Sequence, residues 1–176
     1  NGSTWEFDES TKQYYFHLFS KKQPDLNWEN PDVRQAVFEM MNWWFEKGID
    51  GFRVDAITHI KKNFEAGDLP VPDGKKFAPA FDVDMNQPGI QEWLQEMKDK
   101  SLSRYDIMTV GEANGVTPND AEEWVGEENG KFNMIFQFEH LGLWSTGDTK
   151  FDVKSYKQVL NRWQKQLENV GWNALF

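Results

Sequence analysis

Cysteine is absent from this chain of 176 residues. Its absence excludes a disulfide framework and a thiolate metal site, and leaves the redox compartment open. Positive charge is scarce: 19 Lys and Arg stand against 29 Asp and Glu, for a formal net charge of −10. Nucleic-acid affinity comes from basic side chains displacing phosphate counterions, so no nucleic-acid partner is expected. No apolar run approaches the ~20 residues that a membrane span needs, so no membrane partner is expected either. A Gly-rich phosphate loop of the kind that opens dinucleotide-binding sheets is also missing.

The chain does contain enough apolar material for a core, with 39% hydrophobic and 15% aromatic residues. Its length fits one domain or a piece of a larger one. The stretch Gly48 to Lys62, read Gly-Ile-Asp-Gly-Phe-Arg-Val-Asp-Ala-Ile-Thr-His-Ile-Lys-Lys, organises the rest. In an extended segment Gly51, Arg53 and Asp55 share one face while Phe52, Val54 and Ala56 share the other. The apolar face packs against helices. An Arg and an Asp on the opposite face line a polar cavity or form a structural ion pair, because neither is buried alone in an apolar interior.

Residues 1–29 read as connection, with one extended candidate at Gln13 to Phe19. Asn30 offers an N-cap and Pro31 suits the first helical position, predicting a helix from Pro31 to Lys47 with Val33, Ala36, Val37, Met40, Met41 and Trp44 on its apolar stripe. Gly48 stands at the expected C-cap. Asn63 to Asn86 carries Pro70, Pro72 and Pro79 and reads as a long loop. A second helix is predicted from Pro88 to Ser101 on the stripe Ile90, Trp93, Leu94 and Met97. A strand follows over Asp106 to Glu112. Thr117-Pro-Asn-Asp120 is a capping-box pattern opening a short helix to Val125. A third strand is expected over Phe132 to Leu141. A last helix begins after Asp152, with Val153, Tyr156, Leu160, Trp163 and Leu167 as its stripe and Gly171 as its stop, and a fourth strand starts at Trp172. Trp44, Trp93 and Trp163 are expected in the core, and Trp28 is left unassigned.

Strands alternating with helices over long crossovers argue for an α/β fold with a parallel sheet, either doubly wound or a (β/α)8 barrel. The barrel is favoured because Asp55 and Glu112 fall at the C-terminal ends of consecutive strands, where barrel enzymes build their sites. Four strands amount to a partial (β/α)8 TIM barrel. Neighbouring strands lie about 4.8 Å apart, a spacing compatible with the ~5–5.5 Å carboxyl separation of retaining glycosidases. Arg53 favours the Asp55 anion, which makes Asp55 the nucleophile candidate and Glu112 the acid/base.

Gly51-Phe-Arg-Val-Asp-Ala-Ile-Thr-His59 resembles the nucleophile strand of glycoside hydrolase family 13, the α-amylase family, and Val110-Gly-Glu112 resembles its acid/base strand. Pro24-Asp-Leu-Asn-Trp-Glu-Asn-Pro31 and Phe132-Asn-Met-Ile-Phe-Gln-Phe-Glu-His140 are similar to the oligo-1,6-glucosidase and α-glucosidase branch of that family. The resemblance implies barrel strands four to seven, with residues 1–23 as the tail of the domain inserted after strand three and residues 24–176 as the partial catalytic barrel. It implies a retaining α-glucosidase acting on short oligosaccharides by double displacement, with Asp55 as nucleophile, Glu112 as acid/base and Arg53 as the nucleophile's partner. Ala56 matches a position tied to linkage preference, where members acting on α-1,6 bonds commonly carry valine. His59 matches a position that contacts substrate in some amylases, although Thr58 replaces the usual preceding lysine, which favours a structural role for the histidine.

No cofactor is implied, and the calcium loop of this branch maps before Asn1, so no metal site is expected. The family's third catalytic carboxylate maps beyond Phe176, which implies that these residues alone do not turn over. A cytoplasmic location follows from family habit. Two further readings stand beside the enzyme: a non-catalytic barrel relative serving as a carbohydrate-binding or protein-interaction module, and a half-barrel that self-associates through open edges.

Overall fold

The computed structural model describes residues 2–81, 83–144, 152–171 and 174–175. The chain opens with an antiparallel hairpin, β1 (Trp5–Asp8) and β2 (Gln13–Phe16), registered Trp5 to Phe16 and Asp8 to Gln13. Asp8 organises its turn by accepting hydrogen bonds from the backbone N–H groups and hydroxyls of Ser10 and Thr11. Only the second of these strands is expected from the sequence. The hairpin is held by aromatic pairs across its face, such as Phe7 with Tyr14, and not by burial against a core.

Helix α1 runs Pro31–Glu46, with the Asn30 side chain accepting from the Asp32 N–H at 2.9 Å. Gly48, at φ +91°, ends it by donating to the Phe45 carbonyl, a left-handed position that suits glycine. The buried face of α1 is Phe38, Met41 and Phe45, spaced three and four apart. The expected stripe through Met40 and Trp44 is therefore corrected: both are exposed, Trp44 lying against its neighbour Trp43. Phe38 and Phe45, both omitted from the expected stripe, join Met41 in the core.

A second sheet contains β3 (Gly51–Val54), β4 (Met108–Glu112), β5 (Met134–Phe136) and β6 (Ala174–Leu175) in that order, every pairing parallel. α2 (Ile90–Lys100) buries the predicted stripe Ile90, Trp93, Leu94 and Met97. The Thr117–Asp120 capping box leads into α3 (Ala121–Val125), and α4 spans Val153–Leu167 behind an Asp152 cap. The core joins Phe38 and Phe45 of α1, Leu94 and Met97 of α2, Trp124 of α3, Ile135 of β5 and Trp163 of α4, with Phe52 and Val54 of β3 packed against it.

Three expectations are revised. The third strand is short: after Phe136 the Gln137 side chain accepts the Glu139 N–H at 2.9 Å and the chain turns into a 3-10 segment, Glu139–Trp144. On α4, Val159 takes the core place given to Val153, which is exposed. That helix ends before Gly171, with Asn169 at φ +65°. Gly171 instead bridges Gly126, where a Cβ would strike the Val125 carbonyl. Of the fourth strand, Ala174–Leu175 is extended, and Trp172, Asn173 and Phe176 lie outside the described residues.

Trp28 is half-buried, stacked on Trp93 with ring centroids 6.4 Å apart, and its carbonyl accepts Arg34 Nη1 at 2.6 Å. Arg34 also pairs with Glu96 at 2.7 Å. These contacts fasten the start of α1 to α2.

Candidate active site

The register between β3 and β4 sets the site. Gly51 pairs with Met108 and Val54 with Gly111, and continuing the series by one residue sets Asp55 opposite Glu112. Both carboxylates thus stand at the C-terminal ends of adjacent parallel strands. Gly51 permits the close pairing, since a Cβ there would fall onto the Met108 carbonyl.

The extended alternation expected through Ala56 stops at Val54: Asp55 and Ala56 form a turn, with Ala56 at φ 45° and ψ 33°. Asp55 therefore projects from the strand end with 75% of its side chain exposed, while Glu112 keeps only 20%. Arg53 joins them. Its Nη1 pairs with Asp55 Oδ1 and its Nη2 donates to Glu112 Oε2 at 2.8 Å. A guanidinium with its planar fork serves two carboxylates at once and offsets their mutual repulsion. Glu112 Oε2 accepts a second bond, from the Ala56 backbone N–H at 2.9 Å.

His59 lies just beyond, 4% exposed in a short 3-10 turn. Its Nδ1–H donates to the Asp84 carbonyl at 2.8 Å, and its ring packs against Phe81 and Phe19. Burial pushes its pKa below the usual imidazole value, partly opposed by the bond to Asp84. The ring is enclosed by these aromatic neighbours, and its Nε2 is buried without a hydrogen-bond partner among the described residues.

Behind the strand ends, hydrogen bonds connect the loops that carry the two carboxylates. Lys62 pairs with Asp25 at 2.7 Å, both largely buried, and also donates to the His59 carbonyl. Asp84 accepts the Asn63 N–H at 3.1 Å. Asn86 donates through its backbone to Thr58 and through its side chain to the Asn114 carbonyl, two residues past Glu112. None of these is legible in the sequence, because each bond depends on how a long loop folds back. The same loop and the hairpin wall a cavity of about 780 Å³ lined by Trp5, Phe16, Asn63, Phe64, Phe77 and Asp84, among others.

The structure thus brings two carboxylates together at one end of a parallel sheet, sharing one guanidinium. A family model of the alpha-amylase catalytic domain matches residues 1–176. The chain belongs to the alpha-amylase family. It is 58% identical over 176 residues to "Probable oligo-1,6-glucosidase 3" of Bacillus subtilis, covering 99% of this chain and 32% of that protein. It is 50% identical over 181 residues to the oligo-1,6-glucosidase of Parageobacillus thermoglucosidasius, covering all of this chain and 32% of that protein.

Among solved structures, trehalose-6-phosphate hydrolase from Bacillus licheniformis superposes with a TM-score of 0.85 at 40% identity. Isomaltulose synthase from Klebsiella sp. does so with 0.84 at 32%. Each alignment covers 99% of this chain and 32% of the other. The chain thus spans about a third of the length of these relatives, and with them it is part of a TIM-barrel catalytic domain. Among the described residues no helix is long and apolar enough to cross a membrane, and no three His, Asp or Glu side chains converge as a metal group.

Proposed function

We propose that this chain supplies the nucleophile and the acid/base of a retaining α-glucosidase that cleaves terminal α-glucosidic bonds of short oligosaccharides. The observation that carries the reading is Arg53 bridging Asp55 and Glu112 at matching ends of adjacent parallel strands, in a chain of the alpha-amylase family. Asp55 attacks the anomeric carbon while Glu112 gives a proton to the leaving oxygen. Water, deprotonated by Glu112, then releases the sugar from Asp55. Arg53 pairs with Asp55 and aims it. Adjacent strands about 4.8 Å apart suit retention better than inversion, which needs room for a water between the carboxyls.

The strands correspond in this reading to barrel strands four to seven, residues 1–23 to the tail of an inserted domain and residues 24–176 to the partial barrel. Support for that division comes from the antiparallel hairpin, which pairs with no strand of the parallel sheet among the described residues. Ala56 borders the sugar-binding space and bears on linkage preference. His59 shapes the site wall from its enclosed position. The oligosaccharide is the partner, and the setting is the cytoplasm. Catalysis needs the family's third carboxylate as well. Loss of one transition-state contact alone costs ~10²–10³ in rate, so the isolated 176 residues are expected to show no measurable turnover.

The test is a chimera in which this chain replaces the matching third of the Parageobacillus oligo-1,6-glucosidase, assayed on nitrophenyl α-glucoside and isomaltose. The expected result is hydrolysis by the chimera and a loss of at least ~10³-fold with Asp55→Asn. An active chimera indifferent to Asp55→Asn and Glu112→Gln overturns the roles. A folded but inert chimera moves the non-catalytic binding module to the front.

A further inference from the structure

Ala56 holds a backbone conformation that its side chain disfavours. At φ 45° and ψ 33° it sits in the left-handed region, where residues other than glycine are uncommon. Its carbonyl accepts the His59 N–H at 3.0 Å, and its own N–H points to Glu112 Oε2 at 2.9 Å. That N–H belongs to the peptide unit joining Asp55 to Ala56, and the left-handed turn at Ala56 carries the following chain away into the 3-10 segment.

The two oxygens of Glu112 are therefore unlike each other. Oε2 accepts from both Arg53 Nη2 and the Ala56 N–H. Oε1 has no hydrogen bond among the described residues and is not one of the buried unpartnered atoms. An oxygen already accepting two N–H groups has both in-plane lone pairs occupied, and a proton arriving there must displace a donor. Among the described residues the charged group bonded to this carboxylate is Arg53, whose other terminal nitrogen holds Asp55; on the other side β5 sets the apolar Phe136 opposite Glu112.

We propose that the backbone N–H of Ala56 is a positioning group for the acid/base: with Arg53 it anchors Oε2 of Glu112 and leaves Oε1 as the oxygen that carries the transferred proton. The inference rests on the role given to Glu112 above. In the first step the Oε1 proton passes to the glycosidic oxygen as the C1–O bond breaks toward that oxygen, while Asp55 forms the new bond to C1. In the second step Oε1 takes a proton from water, the water oxygen bonds to C1, and the bond to Asp55 breaks. Because the donor belongs to the backbone of the residue after the nucleophile, the two carboxylates are set in relation to each other by one peptide unit. Because the donor is a backbone group, a side-chain change at position 56 that leaves the Asp55–Ala56 peptide in place preserves the contact.

The chain as it stands permits a direct test by nuclear magnetic resonance. The expected result is a scalar coupling across the hydrogen bond from the Ala56 nitrogen to the Glu112 carboxyl carbon, and an Ala56 amide proton shift that follows that carbon through its titration. Ala56→Gly should keep both signals, and Glu112→Gln should remove the pH response. An Ala56 amide that stays constant while the Glu112 carbon titrates overturns the proposal.

A second arm uses the chimera with the α-hydroxy acid analogue of alanine at position 56, which deletes the N–H and little else. On isomaltose, whose leaving group needs a proton, kcat is expected to fall about tenfold or more with KM held. On nitrophenyl α-glucoside, whose leaving group needs little help, the loss is expected to be smaller. Equal losses on both substrates overturn the positioning role. Failure of the underlying assignment reads differently, since Glu112→Gln would then leave isomaltose hydrolysis intact.

Discussion

At the scale of single residues, Asp8 and His59 are both held at lowered pKa values, so both contribute stability that is lost on acidification, each in its own pH window. Bonds from Thr11 and then Ser10 hold the Asp8 carboxyl down to about 2. An acid whose pKa is depressed by folding contributes stability above its unfolded value, near 3.9, and that contribution fades as pH falls through the folded value. The hairpin turn should therefore stay closed at pH 4 and loosen toward pH 2. The Asp8 carboxyl carbon and the Ser10 and Thr11 amides, followed by nuclear magnetic resonance, report it; turn amides unchanged at pH 2 would contradict the account.

His59 is buried neutral, with its pKa lowered chiefly by desolvation. Between its folded value and 6.5 the unfolded chain binds the extra proton, so its contribution is complete above pH 6.5 and declines as pH falls below that. Urea midpoints at pH 7.5 and pH 5.5 should differ in that direction, and the difference should shrink in His59→Phe. A midpoint difference identical in both chains would show that His59 does not carry it.

At the scale of elements, helix and strand existence was legible in the sequence wherever period and punctuation agreed. Asn30-Pro31 opened α1, the 90, 93, 94, 97 spacing located α2, and the Thr117 to Asp120 pattern marked α3. Facing was harder to read. Helical spacing predicts Trp44 in the core, yet the buried series is 38, 41 and 45, since apolar residues surround much of that helix and periodicity alone does not choose among them. The carboxylates were legible because strand ends and residue types sufficed. The Ala56 N–H, the Lys62 to Asp25 pair and the Asn86 link were not, because they depend on the turn that ends β3 and on a loop of irregular path.

Element packing makes its own prediction: Trp163→Ala, at 1% exposure, should cost about 3–5 kcal/mol, whereas Trp44→Ala should stay within about 0.5 kcal/mol. Gly51→Ala should cost about 3 kcal/mol or more by forcing β3 from β4. Denaturant unfolding measures all three, and a Gly51→Ala chain as stable as the parent would contradict the register argument.

At the scale of the whole molecule, β3 is paired on one side only among the described residues, and Met40, Trp43 and Trp44 expose apolar surface on α1. Unpaired strand edges and exposed apolar faces recruit partners. The isolated chain should therefore self-associate as concentration rises, and sedimentation velocity showing a monomer throughout would contradict this.

The central claim is that Asp55 is the residue bonded to the sugar midway through catalysis. The most direct measurement is to treat the active chimera with a fluorinated α-glucosyl fluoride that slows release of the intermediate, digest it, and locate the label by mass spectrometry. The account predicts one glucosyl adduct on Asp55, lost in Asp55→Asn. An adduct on another residue, or an inverted product with no adduct at all, would contradict it.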